Sequence, residues 1–169
     1  FLRLTVQACE EEFRPVAFLS LLKHPLTCLG EDGFLVRKAA REYEKKVLRS
    51  GKEDETLTAF VLRFKEAMRD LAEALRQPAV DFKNLLALHI KTAEVLAAVP
   101  GKDGAQVLWK GDAGEAAAAF IAYLYAEAGV LGEISGGEYR GLLEALMAGV
   151  TVRPKYGTHP RLSILGPIE

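Results

Sequence analysis

Reactive side chains are scarce in this sequence. Its 169 residues hold two cysteines, Cys9 and Cys28, and three histidines, His24, His89 and His159. The cysteines lack C-x-x-C spacing and sit in helix-like apolar settings. They read as two small buried hydrophobes of a reducing cytosol rather than a disulfide or a metal clamp. No histidine stands at metal-ligand spacing from them. An excess of one charge is lacking too. With 22 Lys and Arg against 23 Asp and Glu the net charge is -1, so nucleic-acid binding would need a local patch rather than bulk charge. The longest strongly apolar run, "AAAAFIAYLYA" at 116–126, is well short of the ~20 residues of a membrane-spanning helix. The opening "FLRLTVQACEEEF" has acids where a signal peptide would carry its small-residue cleavage site. It also lacks a starting Met, and both ends read as cut from a longer chain.

Catalytic motifs are missing in the same way. A phosphate-binding loop needs glycines running into Gly-Lys-Ser/Thr, so that backbone N–H groups cradle the phosphates. "PGKDG" at 100–104 offers Gly101-Lys102 followed by an acid, and reads as a turn. A PD-(D/E)xK nuclease needs carboxylates and a lysine converging from adjacent strands around Mg²⁺. "DFK" at 81–83 and "EKK" at 44–46 supply the triplet, but on predicted helices and without a "PD" strand, as a solvated charged face does. No GxSxG elbow occurs, and "SGGE" at 135–138 is explained by helix capping. No fixed-period repeat or low-complexity segment appears.

What the chain does have is helical periodicity almost throughout, in a composition that is 50% hydrophobic and 27% charged. That balance belongs to a globular core. A first helix runs from Leu2 to about Glu12. Pro15 opens a second, "PVAFLSLLKH", which Pro25 stops. A third, about 34–49, carries "VRKAAREYEKKVLR". The fourth is predicted as one long helix, with Leu57, Phe60, Val61, Phe64, Met68, Leu71 and Leu75 in a continuous stripe ended by Pro78. Asp81 is placed to cap a fifth, through Leu85, Leu88, His89, Thr92, Leu96 and Val99. Asp112 with Glu115, and Ser135 with Glu138, have capping-box spacing ahead of two later helices. "LSIL" at 162–165 is the strand candidate. The fold class expected is mainly α, with a helical domain over 1–150 and a basic loop plus one truncated strand over 151–169.

Two binding surfaces remain. Arg37, Lys38, Arg41, Lys45, Lys46 and Arg49 dominate the third helix, diluted by Glu42 and Glu44, and such mixtures read as a solvated face. The terminal loop is less diluted: Arg153, Lys155 and Arg161 come with Tyr156 and His159, and no acid follows until Glu169. Cations interleaved with aromatic groups suit a phosphate backbone with stacked bases; composition leaves an ordinary linker equally open. Trp109 reads as a packing anchor more readily than as a base-stacking platform. His89 reads as a satisfied core or boundary histidine rather than as a base.

The order of four blocks resembles a known family. "RPVAFLSLLKHPLTCLG" at 14–30, "LLALHIKTAEVLAAV" at 85–99, "VLWKGDAGEAAAAFIAYL" at 107–124 and "YRGLLEALMAGVTVRPKYGTHPRLSILGPIE" at 139–169 are similar to consecutive stretches of AddB, the B subunit of bacterial AddAB-type helicase–nucleases that repair double-strand breaks. The resemblance implies an internal piece of a larger cytoplasmic, nucleoid-associated protein, placed like the helical 2B insertion of superfamily-1 helicases. "LSIL" would then be the chain re-entering the parental sheet. It implies DNA and an AddA-type helicase subunit as partners. The parent's iron–sulfur cluster and Mg²⁺ belong to a nuclease domain outside this chain, and no cofactor, metal or catalytic residue is carried over here. Arg153, Lys155, His159 and Arg161 are the DNA contacts it suggests. The alternative is a protein-interaction domain that docks the partner subunit without touching DNA, through the basic third helix and the apolar 116–126 segment.

Overall fold

The computed structural model describes residues 1–152. The strand expected at 162–165 and the DNA contacts expected at Arg153, Lys155, His159 and Arg161 lie outside the described residues. Within them the chain is mainly α, as its periodicity predicts, with nine α-helices and one two-stranded sheet among the described residues.

Helices α1 (Leu2–Glu10) and α2 (Pro15–Leu22) are joined by a tight turn in which Glu12 and Phe13 both take positive φ. Helix α3 (Gly33–Tyr43) is capped by Asp32, whose carboxylate accepts from the Phe34 and Leu35 N–H groups. It runs on as a wide π-helical segment, Glu44–Arg49. The predicted fourth helix is interrupted. Met68 leaves helical geometry (φ -108, ψ -1) and divides it into α4 (Glu55–Ala67) and α5 (Arg69–Ala74). The apolar stripe is right all the same, because all seven of its members are buried. The bend lets α4 follow α3 while α5 turns onto α1.

Helix α6 (Phe82–Ala97) is the axis of the fold and packs on α1, α4, α5, α7 and α8. Asp81 caps it as expected, accepting from the Asn84 N–H at 2.8 Å. Phe82, Leu85, Leu86, Ala93 and Leu96 bury its inner face. Its last carbonyls, which an isolated helix leaves without partners, are met by the loop after α2. The Cys28 and Leu29 N–H groups donate to Leu96 O at 2.8 and 2.9 Å, and Gly30 N–H donates to Ala98 O at 2.7 Å. Positive φ at Leu29 and Gly30 turns those donors to one side.

The remaining elements close around this axis. The 100–104 turn is formed as predicted, with a Val99–Lys102 bridge and Gly101 at φ +77. Helix α7 (Gly104–Leu108) lies so close to α6 that a Cβ at Gly104 would sit 1.5 Å from Glu94 O. Helix α8 (Gly111–Glu127) follows, then a 3₁₀ turn over Ala128–Val130. Two strands that the sequence pattern missed, β1 (Val80–Asp81) and β2 (Glu133–Ile134), pair antiparallel. Neither expected capping box forms. Helix α8 starts at Gly111 behind Lys110, with Asp112 already inside its first turn. Ser135 makes no side-chain cap; the Glu138 N–H that a capping box would bind donates to the Ser135 carbonyl instead, while Gly136 N–H donates to Gln77 O across the fold. After a 3₁₀ turn over Gly136–Glu138, α9 (Tyr139–Met147) returns to α1, where Arg140 reaches Glu10 at 2.8 Å and Glu11 at 3.4 Å.

Gly104→Ala is expected to lower unfolding stability by about 2–3 kcal/mol, since backbone must move to admit the methyl group. Gly141→Ala, on an open face of α9, should gain about 0.5–1 kcal/mol from helix propensity. Urea denaturation of both variants checks the contrast.

Candidate nucleic-acid interface

Among the described residues, the groups that the sequence singled out for chemistry are mostly engaged within the fold. His89 is fully buried between three helices, with Nε2 3.0 Å from Leu2 O and Nδ1 3.0 Å from the Tyr139 hydroxyl. A carbonyl can only accept, so Nε2 carries the proton and donates it, while Nδ1 accepts from Tyr139. Both ring nitrogens are thereby occupied, and the satisfied-core reading holds. Burial pushes the His89 pKa down to about 4 and holds the Tyr139 hydroxyl well above its ordinary range.

Both cysteines are buried and unbonded to each other. Desolvation pushes the Cys9 thiol up to about 12 and also raises Cys28. Neither is a nucleophile at neutral pH. Trp109 is an anchor: its indole N–H donates to Glu94 Oε1 at 2.7 Å, and its ring packs on the core. Of the two nuclease-like triplets, Asp81 is spent on its cap. Glu44 is bound by Lys23 and Arg49, which hold its carboxyl below the usual range. No group of three or more potential metal ligands occurs among the described residues.

What is left is surface, and helix α3 supplies the most organised part. At about 100° per residue, Phe34, Lys38 and Arg41 fall within about 60° of one another, and Lys45 continues the line. All four are exposed, Phe34 by 64%. The acids taken to dilute this helix are engaged elsewhere: Glu42 pairs with Lys46 at 3.3 Å, and Glu44 with Lys23 of the α2 end and with Arg49. Arg37 is drawn the other way, toward Pro25 O at 3.5 Å. Among the described residues, Lys38, Arg41 and Lys45 form no ion pair. The sequence pattern counted charges along the helix and read a mixed face; the ion pairs of Glu42 and Glu44 leave Lys38, Arg41 and Lys45 as cations without an ion pair among the described residues, although Glu42 lines the same groove as Lys38.

A rise of 1.5 Å per residue puts Lys38 and Lys45 about 10 Å apart along the axis, a span of about three nucleotides at 3.4 Å each. A different surface is exposed on α8 and the turn after it. Tyr123 on α8 is 68% exposed and Val130 beyond it 85%, so the apolar 116–126 segment is only half covered. No helix is long and apolar enough to cross a membrane among the described residues. Compared with known proteins, the chain matches no family model, no curated protein and no solved structure.

Because His89 stays neutral when folded but takes up a proton near pH 6.5 when unfolded, its contribution to stability is complete above that pH. It is lost as pH falls toward about 4, on the order of 3 kcal/mol in total. His89→Gln should flatten that acid limb in a pH series of urea midpoints, at a cost to stability at pH 7.

Proposed function

We propose that this chain is a non-catalytic DNA-handling and scaffolding segment of an AddB-like subunit of a double-strand break repair helicase–nuclease. The observation that carries the reading is the exposed line of Lys38, Arg41 and Lys45, whose neighbouring acids are already paired. Cations at this spacing neutralise consecutive phosphates and release condensed counterions, a sequence-independent source of affinity. Phe34, one turn before Lys38, offers an aromatic face on which an unpaired base can stack. Arg153, Lys155, His159 and Arg161, which follow α9 in the sequence, are proposed as a second set of phosphate contacts. The helices supply a rigid wall and no reacting group. In the parent, an AddA-type subunit would drive the DNA past this wall, and chemistry would take place in the nuclease domain.

A second reading has its own support. The exposed Tyr123 and Val130 give α8 and the turn after it an apolar surface of the kind that protein interfaces cover. Docking of the partner helicase subunit there would account for it, and DNA contact would then be unnecessary.

Oligonucleotide binding measured against salt separates the two. Replacing Lys38, Arg41 and Lys45 together by alanine should flatten the plot of log K against log salt by about 2–3. An unchanged slope would remove α3 as the contact surface. The triple alanine variant of Arg153, Lys155 and Arg161 puts the terminal loop to the same test. Salt-insensitive binding to the partner subunit that Tyr123→Glu abolishes, with no DNA binding at all, would establish the docking reading instead.

A further inference from the structure

The π-helical segment Glu44–Arg49 places a fourth cation beside the α3 stripe and holds it back. In an ordinary α-helix, residues five apart are separated by about 140° around the axis, too far for their side chains to meet. Glu44 and Arg49 are five apart, and they are paired. The pair is possible because the hydrogen bonds of this segment run from i to i+5, which brings such residues onto one side. A second link has the same spacing: Ser50 Oγ donates to Lys45 O at 2.7 Å. Glu44 is also bound to Lys23 at the end of α2, so the wide turn is tied to the body of the fold.

No residue of 44–49 is fully buried, so the core holds this register only weakly, and the links made by Glu44 and Ser50 favour the wide turn over a continued α-helix. The alternative has a definite consequence. If α3 ran on in α geometry to residue 49, Arg49 would lie 11 residues from Lys38, within about 20° of it around the axis. Phe34, Lys38, Arg41, Lys45 and Arg49 would then share one face, and Glu44 would lie far from Arg49.

We propose that Glu44 is a positioning residue that clamps Arg49 away from the cationic stripe, and that release of this clamp adds Arg49 as a fourth phosphate contact. Resting on the DNA-handling reading, this makes the affinity of the α3 surface adjustable. A phosphate backbone arriving at Lys45 competes with the Glu44 carboxylate for the Arg49 guanidinium. The register changes with the winner, because the ion pair exists only in the wide turn. The element is bistable in the sense that two local geometries of one segment differ in which partner Arg49 takes.

The test uses the whole chain and a fluorescent oligo-dT, with Glu44→Gln, Arg49→Ala and the double variant. Glu44→Gln should tighten binding about three- to tenfold and steepen the salt dependence by about 0.7, the increment for one further cation on a single strand. Arg49→Ala should change binding by less than about twofold, because in the resting state Arg49 is not on the stripe. In the double variant the gain from Glu44→Gln should vanish. A gain that persists without Arg49 would overturn the proposal, since Glu44 would then merely repel phosphate. Amide hydrogen exchange read without DNA supplies the second measurement: Glu44→Gln should alter protection across residues 44–52 and leave α6 unchanged. Unaltered exchange there would likewise overturn the clamp. If the unmodified chain shows no salt-dependent binding, the DNA reading fails with it. If it binds and Glu44→Gln changes nothing, only the clamp fails.

Discussion

One buried imidazole ties the ends of this fold to its middle. His89 lies on the central helix α6, donates to the backbone of α1 at Leu2, and accepts from Tyr139 at the start of α9. The three helices come from the beginning, centre and end of the described chain. A neutral histidine can bridge them because it offers one donor and one acceptor on opposite sides of a rigid ring. Burial makes the bridge demanding, since each unpartnered nitrogen would carry the full cost of desolvation. The Arg140 contacts with Glu10 and Glu11 reinforce the same α1–α9 junction from its more exposed side. Once α1 and α9 are fixed on α6, the loop that satisfies the α6 carbonyls and the close approach of α7 at Gly104 complete the body.

That construction leaves the interior without chemistry of its own. The histidine that could have served as a base is neutral and doubly bonded. The cysteines are desolvated, the tryptophan is held by Glu94, and Asp81 is committed to a helix end. The outside is uneven: α3 carries cations along one line with an aromatic ring at its start, whereas α8 and the turn after it carry apolar side chains that no neighbour covers.

Several particulars could be read before any coordinates were seen. Pro15 begins α2, Asp81 caps α6, the 100–104 turn closes where Gly101 allows it, and the whole apolar stripe from Leu57 to Leu75 is buried. Each of these depends on residues close together in the chain. Where the reading differed, a distant partner intervened. The break at Met68 turns α5 onto α1. The turn before α9 is anchored by a bond from Gly136 N–H to Gln77 O rather than by a Ser135 cap. The short β1–β2 pair joins segments more than 50 residues apart.

The amino-acid sequence by itself determined the helical class, the placing of most helices and the burial of their apolar faces, because those follow from spacing within a single turn or two. It also settled the fate of His89 in outline, since a polar ring on an apolar face must find partners or be excluded. Only the tertiary structure decided which partners those were, and which cations hold Glu44. The second point matters most for function. A mixed run of charges becomes a cationic surface only when its acids are drawn off to other cations, and that depends on Lys23 arriving from another helix and on a wide turn bringing Arg49 within reach.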